Sequence, residues 1–82
     1  MTFDYSKHAI EQMLLRDIPL EIVTETVLNP DSITPQDEKE IYQKTVTFPN
    51  GKDYFVRVFV NVEKVPPLVV TVYRTSKINK YK

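Results

Sequence analysis

The sequence predicts an α+β domain of 82 residues, with two N-terminal helices packed on one face of a three- or four-stranded antiparallel sheet. Three observations carry this. Apolar residues recur at helical spacing through the first 28 residues. From residue 39 onward the chain is rich in Val, Ile, Thr, Tyr and Phe. The only glycine, Gly51, sits in a turn between two of these β-rich segments.

The elements follow in order. Ser6 reads as a helix N-cap, because its hydroxyl can accept from a free N–H of the first turn. Ala9, Ile10, Met13 and Leu14 then give helical spacing over residues 7–16. Pro19 suits the first turn of a second helix, where its missing N–H costs nothing. Leu20, Val23, Val27 and Leu28 form that helix's apolar stripe, and Asn29-Pro30 stops it. Residues 31–35 read as turn-rich, with room for a short strand. Strands are expected over residues 39–48, 52–62 and 67–75. Between the first two, Pro49-Asn50-Gly51 reads as a three-residue loop: a type I turn with Pro49 second and Gly51 left-handed.

That loop pairs even residues with even residues and so separates two faces. Tyr42, Val46, Phe48, Tyr54, Val56, Val58 and Val60 fall on one, with Lys44 the exception. Leu68, Val70 and Val72 are expected to continue it beneath the helices. The opposite face carries Gln43, Thr45, Thr47, Phe55, Arg57, Phe59, Thr71, Tyr73 and Thr75, a mixture of cation, aromatic and hydroxyl.

Composition bounds the function. With 41% hydrophobic and 27% charged residues the chain reads as one soluble globular domain. Having no cysteine and one histidine, it offers no thiolate or His-based zinc site. One glycine rules out a glycine-rich phosphate loop. Neither a secretory leader nor a membrane span is legible, which makes the cytoplasm the expected location. The zero net charge hides a split. Residues 1–38 hold two basic and eight acidic residues, 2 − 8 = −6, while residues 39–82 hold nine basic and three acidic, 9 − 3 = +6. A basic half of this kind points to a polyanionic partner.

Three groups can carry chemistry. Arg57 lies between Phe55 and Phe59 with Tyr73 on the neighbouring strand, and rings of this kind stack bases while a guanidinium binds phosphate. The bland alternatives are an arginine lying along a half-exposed sheet, or a face covered by another chain. The segment from Tyr73 to Lys82 interleaves Arg74, Lys77, Lys80 and Lys82 with two tyrosines, which suits phosphate binding; the alternative is a solvated tail. His8, in the first turn of the first helix, shares a flank with Gln12 and Arg16, and histidine is a residue type suited to general acid–base work on RNA. Its alternative is a histidine packing beside the core. The carboxylates show no metal-ligand spacing.

Ser6-Lys7-His8-Ala9, Met13, Arg16 and Ile18, Asn29-Pro30-Asp31, Tyr42-Gln43, and Thr71-Val72-Tyr73-Arg74-Thr75-Ser76-Lys77 together resemble a small bacterial and cyanobacterial family known only as a domain of unknown function. That family is similar in layout to RelE-like and BrnT-like ribonuclease toxins. The resemblance implies a single RelE/BrnT-like domain over residues 1–82. It also implies RNA cleavage without metal or cofactor by basic and aromatic residues of the sheet and C-terminal segment, held in check by an antitoxin. Gln12 stands where the family often has a basic residue. Asp17 replaces a usual glycine before Ile18, so a differently built turn is expected there.

The leading expectation is therefore a metal-independent endoribonuclease, a toxin of a toxin–antitoxin pair, acting on RNA that includes ribosome-associated mRNA. His8, Arg57 and Tyr73 are its candidate catalytic residues, and Arg16, Phe55, Arg74, Lys77 and Lys80 its candidate RNA contacts. The alternative is a non-catalytic module that binds protein or RNA on the open sheet face. A separation of His8 from Arg57 and Tyr73 would remove the histidine mechanism.

Overall fold

The computed structural model describes residues 2–77. In chain order the elements are β1 (Asp4–Tyr5), α1 (Lys7–Leu15), α2 (Leu20–Leu28), β2 (Ser32–Gln36), β3 (Lys39–Thr47), β4 (Asp53–Asn61) and β5 (Leu68–Thr75). The strands form one sheet in the order β1-β5-β4-β3-β2. β2 to β5 pair antiparallel, and β1 lies parallel to β5.

This corrects the expected fold. The sheet is five-stranded and mixed, not a three- or four-stranded antiparallel sheet under a helix pair of RelE-like layout. Strands hold 43% and helices 24% of the described residues, so the sheet dominates the architecture. Both extra strands were hard to read locally. β1 has two residues, too few for any alternation, and is held by Asp4 N–H to the Pro67 carbonyl and Ser6 N–H to the Val69 carbonyl, both 2.9 Å. β2 is exposed along its whole length and carries Pro35, which only an edge strand accepts readily. Its two-residue connection to β3 contains no glycine; Asp37 takes the positive φ of 55° instead.

The helices form as their sequence suggests. The Ser6 Oγ accepts from Ala9 N–H at 3.0 Å and donates to the Val70 carbonyl at 2.7 Å, so one hydroxyl caps α1 and ties it to β5. α1 ends in a Schellman turn: Ile18 N–H reaches the Met13 carbonyl at 2.9 Å and Asp17 N–H the Leu14 carbonyl at 3.4 Å. Asp17 adopts φ 50°. The turn therefore has the conformation a glycine would favour, although aspartate occupies it. Pro19 is the N-cap of α2 rather than a residue of its first turn.

Both helices cover one face of the sheet. Ala9, Ile18, Val23 and Val27 pack with Phe48, Val56, Val58, Val60, Val69 and Val72, all buried. The β3–β4 register pairs even with even, as Tyr42 with Val58, and Gly51 at φ 82° closes the three-residue loop. Lys44, the charged exception on this face, donates to the Asn29 carbonyl at 2.8 Å beyond the end of α2. It also lies 3.9 Å from Glu25 and 3.8 Å from Asp31. A cation suits the negative end of a helix.

Two parity expectations change, those for Val70 and for Leu68, which pairs with Asn61 on the face away from the helices. A bulge between Phe59 and Val60 pairs Val60 with Val69 and Phe59 with Thr71, leaving Val70 as the extra residue. Val69, not Val70, enters the core at 0% exposure, and Val70 is only partly buried.

Candidate nucleic-acid interface

Cross-strand register builds the site on the face away from the helices. Ser32 stands opposite Gln43, Gln43 opposite Arg57, and Arg57 opposite Tyr73. Four polar side chains thus form one row across β2, β3, β4 and β5. The row is hydrogen-bonded throughout. The Gln43 amide nitrogen donates to Ser32 Oγ at 3.2 Å and to Thr34 Oγ1 at 2.9 Å. Its carbonyl oxygen accepts from Arg57 Nε at 3.1 Å. Arg57 Nη1 donates to the Tyr73 hydroxyl. Since the guanidinium has donors only, it fixes which end of the Gln43 amide faces it.

Rings complete the cluster. The guanidinium carbon of Arg57 lies 5.4 Å from the Phe59 ring centre and 5.5 Å from that of Tyr73. Those two rings are 6.0 Å apart and 30° from parallel. The result is a cation held in a fixed orientation beside two half-buried aromatic faces. A preset guanidinium forms charge-assisted bonds to a phosphate without losing much freedom, and rings beside it can stack bases.

The expected site residues divide by side of the sheet. Arg57 and Tyr73 are brought together. Phe55 shares their face but is 3% exposed, so its ring is not presented for stacking. Phe59 is the ring that accompanies Arg57. His8 lies exposed on α1, beside core residue Ala9 and therefore on the helix side of the sheet. The sheet separates it from Arg57 and Tyr73. Arg16, at the end of α1, is exposed and donates to Gln12 Oε1 at 2.9 Å. Lys77 is exposed just beyond β5, and Lys80 lies outside the described residues.

Arg74 also faces the helices, because it pairs with Val56 rather than with Arg57. Its guanidinium carbon lies 4.5 Å from the Phe48 ring centre and 4.3 Å from that of Tyr54. Adjacent residues of one strand, Tyr73 and Arg74, thus serve opposite sides of the sheet.

Gln43, Ser32 and Thr34 were given no role by sequence reasoning, whereas Phe59 was read with Phe55 as a ring that can stack a base. For Gln43 a signal existed, since the hairpin register sets it against Arg57. Ser32 and Thr34 depended on a strand that was barely legible.

Among the described residues, no group of three or more His, Cys, Asp or Glu side chains is placed to hold a metal ion. No helix among them is long and apolar enough to cross a membrane.

Comparison with family models matches residues 5–74 to the domain of unknown function DUF4258. The chain belongs to the DUF4258 family. The match spans the whole polar row, from Ser32 to Tyr73, and ends at Arg74. It leaves Lys77 and Lys80 outside the DUF4258 region. Searches of curated proteins and of solved structures gave no match, so nothing links this DUF4258 domain to the RelE- or BrnT-like toxins.

Proposed function

We propose that the protein binds single-stranded RNA across the helix-free face of its sheet and cleaves it without a metal ion. The observation that carries this reading is the Arg57–Tyr73 pair, anchored by Gln43 and flanked by Phe59. Phosphate would sit on the guanidinium and a base on the exposed parts of the Phe59 and Tyr73 rings.

Cleavage would proceed by attack of the ribose 2′-oxygen on phosphorus. A 2′-O–P bond forms and the 5′-O–P bond breaks, leaving a 2′,3′-cyclic phosphate and a 5′-hydroxyl. Arg57 would stabilise the charge that grows on the phosphorane oxygens. The Tyr73 hydroxyl would donate a proton to the leaving 5′-oxygen, and water would accept the 2′ proton. His8 has no part, since the sheet stands between it and this face.

The test combines binding and cleavage of a single-stranded RNA, with EDTA throughout. Cyclic-phosphate ends are expected. Arg57→Ala should lower the rate about 10²–10³-fold, more than it lowers binding. Tyr73→Phe should lower it about 10²-fold or more with little loss of binding. His8→Ala should leave it unchanged, and a large drop there would overturn the assignment.

A second reading, RNA binding without cleavage, is favoured by one observation: the Phe59 and Tyr73 rings flank the Arg57 guanidinium in an arrangement that stacking and phosphate binding alone account for. Binding that depends on Arg57, with intact RNA recovered both with and without ribosomes, would select it.

A further inference from the structure

On the other side of the sheet, Arg74 and Asp17 line one cavity. Its walls are Asp17, Pro19, Phe48, Pro49, Asn50 and Arg74, and its volume is about 330 Å³. That is within the range of small-molecule sites, about 300–1,000 Å³. Two separate loops build it. The Schellman turn between the helices supplies Asp17 and Pro19, and the β3–β4 hairpin supplies Phe48, Pro49 and Asn50.

Both loops are held in place. Gly51 N–H bonds the Phe48 carbonyl and Phe48 N–H the Lys52 carbonyl, each at 2.9 Å. Asn50 Oδ1 accepts from Lys52 N–H at 2.9 Å and its amide donates to the Tyr54 hydroxyl at 3.3 Å. The guanidinium of Arg74 is fixed against two rings that themselves meet edge to face at 4.9 Å. Cation–π contact orients an arginine while leaving its N–H groups available in the ring plane's surroundings.

The charges decide the ligand. Among the described residues the Arg74 guanidinium has neither a hydrogen-bond acceptor nor a carboxylate within salt-bridge distance, and the Asp17 carboxylate likewise has no donor or cation. They carry opposite charge, share one cavity and do not pair with each other. A simple anion would meet Arg74 favourably but be repelled by Asp17. A simple cation would meet the reverse. A small molecule bearing both charges satisfies both walls, and Pro19, Pro49 and Phe48 offer apolar surface to the rest of it.

We propose that the cavity between Asp17 and Arg74 binds a free α-amino acid, its carboxylate on Arg74 and its ammonium on Asp17. The site lies on the opposite side of the sheet from Arg57 and does not depend on the RNA reading.

The experiment is an amide-resolved NMR titration of the full chain with three related probes. L-Leucine carries both charges, N-acetyl-L-leucine only the carboxylate, and L-leucinamide only the ammonium. L-Leucine is expected to shift the amides of Asp17, Asn50 and Arg74 in a saturable way, and the other two probes to bind at least about tenfold more weakly. Asp17→Asn, which keeps a side chain tolerant of the left-handed backbone, should weaken L-leucine at least about tenfold. Arg74→Gln should do the same. Asp17→Asn should also leave RNA binding as in the parent, so failure of either reading is visible without the other. Absence of saturable shifts overturns the proposal. So does equal binding of N-acetyl-L-leucine or of inorganic phosphate, which would mark a simple anion site.

Discussion

Replacing Gln43 by leucine tests whether the polar row is a structural unit. Gln43 is 7% exposed and lies between β2 and β4. Leucine fills similar volume, so the change removes hydrogen bonds more than packing. Three bonds go. Those to Ser32 and Thr34 cost little, because both hydroxyls lie on an exposed strand and can turn to water. The bond from Arg57 Nε is different: it is part-buried and its donor is charged. Losing such a bond costs about 1.5–3 kcal/mol, and apolar burial of the leucine returns part of that. A net loss near 2 kcal/mol corresponds to a fall in Tm of about 8–16 °C for a domain of this size.

The protein has no tryptophan, so far-UV circular dichroism is the suitable probe of melting. Ser32→Ala is the control, expected within about 0.5 kcal/mol of the parent as a surface change. A double-mutant cycle of Gln43→Leu with Arg57→Met should show coupling of about 0.5–3 kcal/mol, since the two side chains touch. Unchanged stability in Gln43→Leu, or a cost in Ser32→Ala as large, would refute the row as an energetic unit.

Other perturbations read other parts of the molecule. Val58→Ala, at a position with 0% exposure, should cost about 1–3 kcal/mol in denaturant unfolding from lost burial and the cavity left behind. Asp17→Gly should raise stability by about 0.5–1 kcal/mol, because φ 50° is strained for a residue with a Cβ and free for glycine; a destabilised variant would reject this account of the turn. Burial raises the Tyr42 phenol above its ordinary value of 10.0, helped by its hydrogen bond to Glu40 and that residue's charge. The folded state then holds the proton more tightly than the unfolded chain. The associated stability is complete below pH 10.0 and falls as pH rises through the higher folded value. Tyr42→Phe should flatten that alkaline fall, and an identical pH profile would exclude Tyr42 as its source.

What was legible in the sequence had a local cause. Ser6 could be read as a cap, Gly51 fixed the hairpin loop, and that loop's length fixed which residues of β3 and β4 share a face. Those features need only neighbouring residues. What was not legible depended on distant ones. β1 exists because Asp4 and Tyr5 meet Leu68 and Val69, far along the chain. β2 is a fully exposed edge, so no hydrophobic alternation marks it. The bulge at Val70 arises in a run of Val69 and Val70, where two equivalent apolar residues leave the choice of inward position to packing. At the site, Arg57 and Tyr73 were found because a cation among aromatics stands out. Gln43 did not stand out, since an amide looks inert until its partners are placed.

The sheet also changes what the charge split means. Counted along the chain, residues 39–82 form one basic half, yet Arg57 and Arg74 face opposite sides. Lys44 is already engaged by Glu25, Asp31 and the Asn29 carbonyl, which leaves little of its charge for a polyanion. A patch on one face is therefore much smaller than the count suggests, and the salt dependence of RNA binding can distinguish them. Each phosphate contact to a single strand contributes about 0.7 to the slope of log affinity against log salt. If RNA lies on the helix-free face, Arg57→Ala should flatten the slope by about that amount. Arg74→Gln should leave it alone, because its guanidinium is on the far side over Phe48 and Tyr54. Equal flattening by both would mean that RNA wraps the sheet edge and reads the total basic charge. Flattening by Arg74→Gln alone would place the RNA on the helix side and remove the row of Gln43, Arg57 and Tyr73 from the interface.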